Sequence, residues 1–198
     1  MSLADLIRSD AKILEIAQHL DGLDHETRLA ETRTLTGPDQ KKLFRAAEES
    51  PPLDFAFFVP DAVPDRTQVV HHGKNSQPAF KFFQKRWCRP ADREGALYGY
   101  NETAVRPLIG PGYFVAHETA DGGRDPRGAI VVDYFQVPQT PVAPGWPAVK
   151  PNSAGLQRFV YDKTRDYMRR VSKHVSIGEA HRLEKSVLGW FVLCREDV

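Results

Sequence analysis

The sequence predicts an α+β protein in which N-terminal helices pack on an antiparallel sheet that can close into a barrel, with one later helix and a C-terminal strand. Two observations support this fold class. The first 50 residues carry apolar side chains at helical spacing, whereas the chain beyond residue 65 has short aromatic and β-branched runs bounded by glycine or proline. We expect a single domain over residues 1–198, with a helical part at 1–50 and mainly sheet at 66–198.

The N-terminal part predicts two main helices. Residues 3–20 repeat leucine and isoleucine at three- and four-residue steps, and Gly22 ends this helix. A second helix begins at Thr36, whose hydroxyl can accept from the first free amides, and runs to about residue 49. The segment 25–35 between them also favours a helix. Residues 51–65, which alternate prolines with phenylalanines, predict an extended connection.

Short runs with strand composition follow the connection. They lie at residues 68–72, 96–101, 112–118, 128–137 and 189–195. The run AFKFFQKRWC, residues 79–88, fits a helix or a strand, and we interpret it as a strand. The clearest pair is 112–118 with 128–137, because the segment between them, TADGGRDPR, is rich in turn-forming residues. We expect a hairpin with a long exposed tip.

The later helix is predicted at residues 155–173, where apolar residues step by three, four and seven. The alternation Val171, Val175, Ile177 favours a strand instead, so the sequence does not fix where the helix ends. The proline-rich segment VPQTPVAPGWPAVKPNSAG precedes it. We interpret that segment as a strap over the surface, with a lid over a substrate cavity as the alternative.

Composition argues against several classes of function. No apolar run approaches the roughly 18 to 20 residues of a membrane span, so we expect a soluble, cytoplasmic protein with no membrane partner. Cys88 and Cys194 are the only cysteines, and no Cys/His spacing indicates a disulfide framework or a metal site. Motifs for known hydrolases and phosphate loops are absent. The sequence names no cofactor, and it leaves open whether the protein is an enzyme and whether it forms an oligomer.

Positive charge is unevenly distributed although the net charge is only +1. Residues 66–89 hold six bases and no acid, and residues 163–185 hold seven bases against three acids. Within the first segment, KFFQKRWCR interleaves bases with aromatics, a pattern typical of surfaces that bind nucleic acid. The more common interpretation is a strand or helix with one aromatic core face and one basic solvated face.

The stretch VVHHGKNSQP is the first candidate site. His71 and His72 would face opposite sides of a strand, and Gly73 would let the chain turn. Lys74 and Asn75 in the resulting loop would offer an ammonium and an amide to a phosphate or carboxylate. Arg86, Tyr100, Asn101 and Tyr113, on other predicted strands, are further candidate ligand-binding residues.

Asp133 is the candidate acid or base. It lies in GAIVVDYFQVP, where both faces of the predicted strand are apolar, so its carboxylate should be buried and should need a cation. We name His71, His72, Lys74 and Arg86 as candidate partners. Asp133 would then form a structural ion pair, act as a general acid or base, or orient a histidine.

We therefore interpret the protein as a small-molecule binding protein or enzyme with a basic pocket, containing tyrosine and histidine, for an anionic ligand. His71, His72 and Asp133 would be the catalytic groups. The alternatives are a binding module for nucleic acid or an acidic protein surface, and a structural or interaction protein.

Overall fold

Eight antiparallel strands close into a barrel in the computed structural model, which describes residues 1–78, 80–92 and 94–198. Each strand pairs with its neighbours along the chain, and the last pairs with the first. The strands are β1 (Val69–Asn75), β2 (Phe82–Cys88), β3 (Leu97–Glu102), β4 (Phe114–Glu118), β5 (Ile130–Asp133), β6 (Thr164–Arg170), β7 (Val175–Arg182) and β8 (Ser186–Arg195). The predicted fold class and the predicted hairpin, β4 with β5, are confirmed.

The first four α-helices of the chain cover the outer faces of β1, β7 and β8. They are α1 (Leu3–Arg8), α2 (Ile13–Asp21), α3 (His25–Thr34) and α4 (Gly37–Ala46). Thr36 caps α4 reciprocally with Asp39, as the sequence predicts. The single helix predicted at 3–20 is wrong, because the chain breaks at Asp10, whose φ is 59°. No described helix is long and apolar enough to cross a membrane.

One end of the barrel is closed by the segment before β1. This segment is not fully extended but contains the short helix α5 (Phe55–Phe58). The Phe58 ring stacks on Trp87 inside the barrel, with 4.4 Å between ring centroids. His71 hydrogen-bonds through Nε2 to the Phe58 carbonyl at 3.0 Å, and Arg195 donates to the Phe57 carbonyl at 2.6 Å. We call this the closed end.

Three glycines make room for aromatic rings inside the barrel. Gly73 pairs with Phe83 across β1 and β2, and Gly178 pairs with Phe191 across β7 and β8. The third pair joins Gly99 of β3 to Phe114 of β4. In each pair a Cβ on the glycine would collide with the ring of its partner, so the ring lies flat over the neighbouring strand.

The helix predicted at 155–173 is wrong. The chain forms a 3₁₀ helix at Gly155–Phe159 and then enters β6. Met168 faces the barrel interior, while Tyr167 on the outer face is covered by the Arg127 guanidinium, 3.7 Å from its ring centroid. The alternation that marks a strand is lost from the sequence, because polar Thr164 and Asp166 face the interior while Tyr167 is buried on the outer face.

The proline-rich segment is a strap on the outside of the barrel. Val142, Ala143 and Trp146 pack against the outer faces of β2, β3 and β4. Asn152 anchors the end of the strap by donating to the carbonyls of Tyr113 and Tyr134. The strap therefore covers the outer wall rather than the barrel opening.

Candidate functional site

A pocket of about 130 Å³ opens at the end of the barrel opposite α5. At this end, which we call the mouth, β1, β3, β5 and β7 finish and the other four strands begin. The walls of the mouth pocket are mainly aromatic or aliphatic. They include Phe80, Phe83, Val160, Tyr161, Leu188 and Phe191.

Four polar side chains form the floor of this pocket, and we call them the floor quartet: Lys85, Asn101, Tyr134 and Asp166. The Lys85 ammonium donates to Asp166 Oδ2 at 3.0 Å, to the Tyr134 hydroxyl oxygen at 2.5 Å and to Asn101 Oδ1 at 3.3 Å. Asn101 Nδ2 donates to the Tyr134 hydroxyl at 2.9 Å and to the Gly112 carbonyl at 3.0 Å. All three ammonium hydrogens thus have acceptors inside the barrel.

Aromatic rings surround the Lys85 ammonium. Its Nζ lies 5.0 Å from the ring centroids of Phe114, Tyr134 and Phe191, and 5.9 Å from that of Phe83. Three of these four rings, Phe83, Phe114 and Phe191, are those that lie over the interior glycines of the neighbouring strands. The cage gives the ammonium cation–π contacts, but it also removes water from around the charge.

Burial controls the protonation of the floor quartet. It lowers the pKa of Lys85 against the opposing effect of Asp166, and it raises the pKa of Asp166 against the opposing effect of Lys85. Burial also raises the pKa of Tyr134 far above its usual value, so its hydroxyl stays protonated. A buried ion pair whose two pKa values are shifted by burial, at the floor of a pocket, is the kind of arrangement found at binding and catalytic sites.

A shallow groove of about 330 Å³ continues from the mouth pocket across the protein surface. The two share six lining residues: Asn75, Phe80, Val160, Ala180, Leu188 and Phe191. Trp190 and Phe159 lie farther along the groove. The pocket and groove together could take a molecule longer than the pocket alone.

The chain matches no known family model, no curated protein and no solved structure. Its site must therefore be interpreted from its own geometry. Within residues 1–78, 80–92 and 94–198, no group of three or more His, Cys, Asp or Glu side chains is placed to hold a metal ion.

Two of the residues predicted from the sequence line the mouth pocket. Asn101 belongs to the floor quartet, and Asn75 is in the wall, where its Nδ2 donates to the Phe80 carbonyl at 2.7 Å. The turn predicted after Gly73 is wrong, because β1 continues to Asn75. Lys74 consequently points outward, where it is buried and donates to the Leu35 carbonyl between α3 and α4.

The two histidines lie far from the mouth pocket. His71 faces the interior at the closed end, where burial lowers its pKa to about 3 despite the bond to the Phe58 carbonyl. His72 faces outward and pairs with Glu196 at 2.8 Å. The structure therefore does not bring either histidine to the mouth pocket or to Asp133.

The remaining candidates lie on the outer wall. Arg86 donates to the Tyr100 hydroxyl at 3.3 Å, and Tyr100 packs edge-on against Trp146 of the strap. The Tyr113 hydroxyl donates to the Pro147 carbonyl. These three side chains support the strap, and ligand binding by them stays a prediction.

Asp133 is buried as predicted, but the predicted partners are wrong. It is 1 % exposed and accepts from Arg165 at 3.1 Å and from the Phe135 amide at 2.8 Å, with His117 Nε2 at 3.5 Å. Burial opposes its ionisation, yet these donors outweigh burial and hold its pKa at about 2. Arg165 was missed because it lies in the segment interpreted as a helix, whereas His117 lies on the strand that the predicted hairpin places beside Asp133. The geometry favours the structural ion pair.

The basic segment 66–89 does not form an exposed stripe. Lys74 and Lys85 are buried, Arg66 donates to the Val142 carbonyl, and Arg89 donates to the carbonyls of Val59 and Val63. These cations bind the protein's own acceptors. Little of the segment's charge remains to contact phosphate groups.

Lys85, Tyr134 and Asp166 were missed as site residues. One signal was present in the sequence: Phe83, Lys85 and Trp87 share a face of β2, so a lysine lies between two aromatics on the side that a sheet would bury. Asp166 gave no comparable signal, because it lies in the segment interpreted as a helix.

Proposed function

We propose that the protein binds a small, flat, largely apolar molecule in the mouth pocket, with one polar acceptor of the ligand directed at the floor quartet. The single observation that carries this proposal is the buried Lys85–Asp166 pair at the floor of an aromatic-walled cavity. Apolar walls with a few convergent polar groups are typical of small-molecule sites.

The chemistry of the floor favours a neutral acceptor, such as a carbonyl, over a full negative charge. The Lys85 charge is balanced by Asp166, so the floor quartet has no net charge to offer an anion. The bond from Lys85 to Asn101, at 3.3 Å, is the longest of its three. A ligand carbonyl could replace Asn101 at the ammonium. The anionic ligand expected from the sequence remains an alternative that experiment can separate.

Fluorescence titration with Prodan tests the proposal, because this flat, neutral naphthalene carries one ketone and reports the polarity around it. We expect saturable binding with a blue-shifted emission. The charged analogue 1-anilinonaphthalene-8-sulfonate should bind more weakly. Tighter binding of the sulfonate would instead support the anionic ligand.

A pocket-filling variant identifies where Prodan binds. Ala180 lines both the mouth pocket and the groove, so Ala180→Phe should fill the cavity and reduce affinity at least about tenfold, equivalent to about 1.4 kcal/mol. Ala62→Phe makes the same change at an exposed position before β1 and is the matched control. Equal affinity of both variants, with Ala180→Phe folded, would rule out the mouth pocket.

A further inference from the structure

Exposed apolar side chains concentrate at the mouth of the barrel. We define the mouth rim as the connections 76–81, 103–113, 155–163 and 183–185 together with the first residues of β2 and β8. Its exposed large apolar residues are Phe82, Val105, Leu108, Leu156, Phe159, Leu183 and Val187. Among the described residues of the closed-end connections, 53–68, 89–96, 119–129 and 171–174, none of the large apolar side chains is exposed.

The parts of the mouth rim are held together in one surface. Gln157 Oε1 accepts from the Gly112 amide at 3.3 Å, which joins the 3₁₀ helix to the β3–β4 connection. Arg182 donates to the Phe159 carbonyl at 3.0 Å, and the Leu183 amide donates to the Lys163 carbonyl at 3.0 Å. The rim is therefore continuous around much of the pocket opening.

Folding does not explain Leu183 at the tip of the rim. The β7–β8 turn has Leu183 at φ 53° and Glu184 at φ 58°, positions where glycine or asparagine is favoured. Burial of the side chain does little to offset this backbone strain, since Leu183 is 49 % exposed. A bulky apolar residue kept in a strained, exposed turn points to a role outside the fold.

The mouth rim is also basic. Its four connections contain Lys81, Arg106, Arg158, Lys163 and Lys185 but only two acids, Asp162 and Glu184. Glu184 is engaged by Arg127 and Arg165 on the outer wall. In the described part of the chain, Lys81, Arg158, Lys163 and Lys185 form no salt bridge. A second copy of the chain docked rim to rim would bring these like charges together, which disfavours a symmetric dimer here.

We propose that the mouth rim docks on an anionic lipid membrane surface. Exposed Leu108, Phe159 and Leu183 would insert among the lipid headgroups, and the surrounding lysines and arginines would attract anionic lipids. A lipid surface makes no demand for shape complementarity, so it suits apolar residues carried on separate connections. The mouth pocket opens on the same face, so an apolar ligand would enter it from the lipid. Only that last step rests on the proposed function.

The sequence predicts no membrane partner, on the ground that no apolar run is long enough to span a bilayer. Docking of the mouth rim is a peripheral contact, which requires no spanning segment. It depends on residues from four separate connections, which only the barrel brings to one end.

Flotation with phospholipid vesicles tests the proposal. The full chain should float at physiological salt with vesicles containing roughly one-third phosphatidylglycerol in phosphatidylcholine, and much less with phosphatidylcholine alone. Leu183→Asn should weaken binding several-fold while leaving stability equal or higher, because asparagine tolerates positive φ. Leu14→Asn, at an exposed position of α2, is the matched control.

A charge-reversal pair tests the electrostatic part. Arg158→Glu/Lys185→Glu should reduce the affinity about tenfold or more, whereas Lys12→Glu/Lys173→Glu, with the same change in net charge away from the rim, should reduce it much less. The proposal is overturned if the chain does not bind anionic vesicles, or if rim and control variants bind alike. It is also overturned if Leu183→Asn abolishes self-association in solution rather than vesicle binding. Prodan affinity, measured in vesicle-free buffer, tests the pocket separately.

Discussion

Lys85 is the residue on which the interpretation of the site depends. A lysine inside a barrel must give up its hydration, and the floor quartet returns three hydrogen bonds and one opposite charge. Such a pair adds little net stability compared with well-packed apolar residues of the same volume, but breaking it leaves one buried charge without a partner. Because such a pair contributes little to the net stability of the fold, we infer a role for it in ligand binding.

The destabilisation caused by breaking the Lys85–Asp166 pair can be measured separately from the pair's net contribution to stability. Lys85→Met should lower the free energy of unfolding by about 3 to 5 kcal/mol, because Asp166 is left buried and unpaired. Lys85→Met/Asp166→Leu should regain most of that loss, as measured by urea denaturation, yet bind Prodan less tightly than the native chain. If the double variant is as unstable as the single one, the pair is structural and our account of the floor is wrong.

At the scale of elements, the sequence predicted what is determined locally. The cap at Thr36 and the turn residues between β4 and β5 fix their elements through neighbouring backbone groups, and both were predicted. The helix predicted at 155–173 was wrong because β6 places polar Asp166 inside the barrel and buries Tyr167 on the outer face, so contacts with distant parts of the chain determine it. The closed-end segment was predicted as extended because of its prolines, and α5 was not predicted. The carbonyls of α5 bond to His71 and Arg195, and such contacts between distant residues cannot be derived from the local sequence.

The contact between α5 and β1 yields a prediction on acid stability. The pKa of His71 falls from 6.5 to about 3 on burial, so between these values the unfolded chain binds one more proton than the folded chain. The free energy of unfolding must then decrease as the pH is lowered from about 6.5, by up to about 1.4 kcal/mol per pH unit. His71→Gln, which can still donate to the Phe58 carbonyl, should lose about 2 kcal/mol less than the native chain between pH 6.5 and 4.5.

Urea denaturation across this pH range measures the difference, and His117 supplies a control of opposite sign. The Asp133 carboxylate beside it raises the pKa of His117. Its contribution to stability is therefore present at low pH and is lost as the pH rises through the folded-state pKa. Parallel stability curves for the native chain and His71→Gln would show that His71 is not buried as a neutral group.

At the scale of the whole molecule, the two ends of the barrel differ in a way that no single element reveals. The closed end is filled by aromatic rings and bonded through His71, Arg89 and Arg195. The mouth has a polar floor, an open pocket and an apolar, basic rim. The sequence predicts that four candidate residues of VVHHGKNSQP lie close together. In the barrel, His71 lies inside the closed end, His72 and Lys74 lie on the outer face, and Asn75 lies at the mouth. Alternation along β2 could have indicated Lys85, but closure of the barrel determines that Asp166 and Tyr134 meet it.

Chemical-shift mapping of the uniformly ¹⁵N-labelled chain during Prodan titration locates the ligand site residue by residue. If the mouth pocket is the binding site, the largest shifts will fall on the amides of Asn75, Tyr161 and Ala180 and on the side-chain amide of Asn101. Residues at the closed end, such as Phe57 and His71, will shift little. Saturable binding with its largest shifts at the closed end, or among the helices α1 to α4, would contradict the assignment of the mouth pocket as the ligand site.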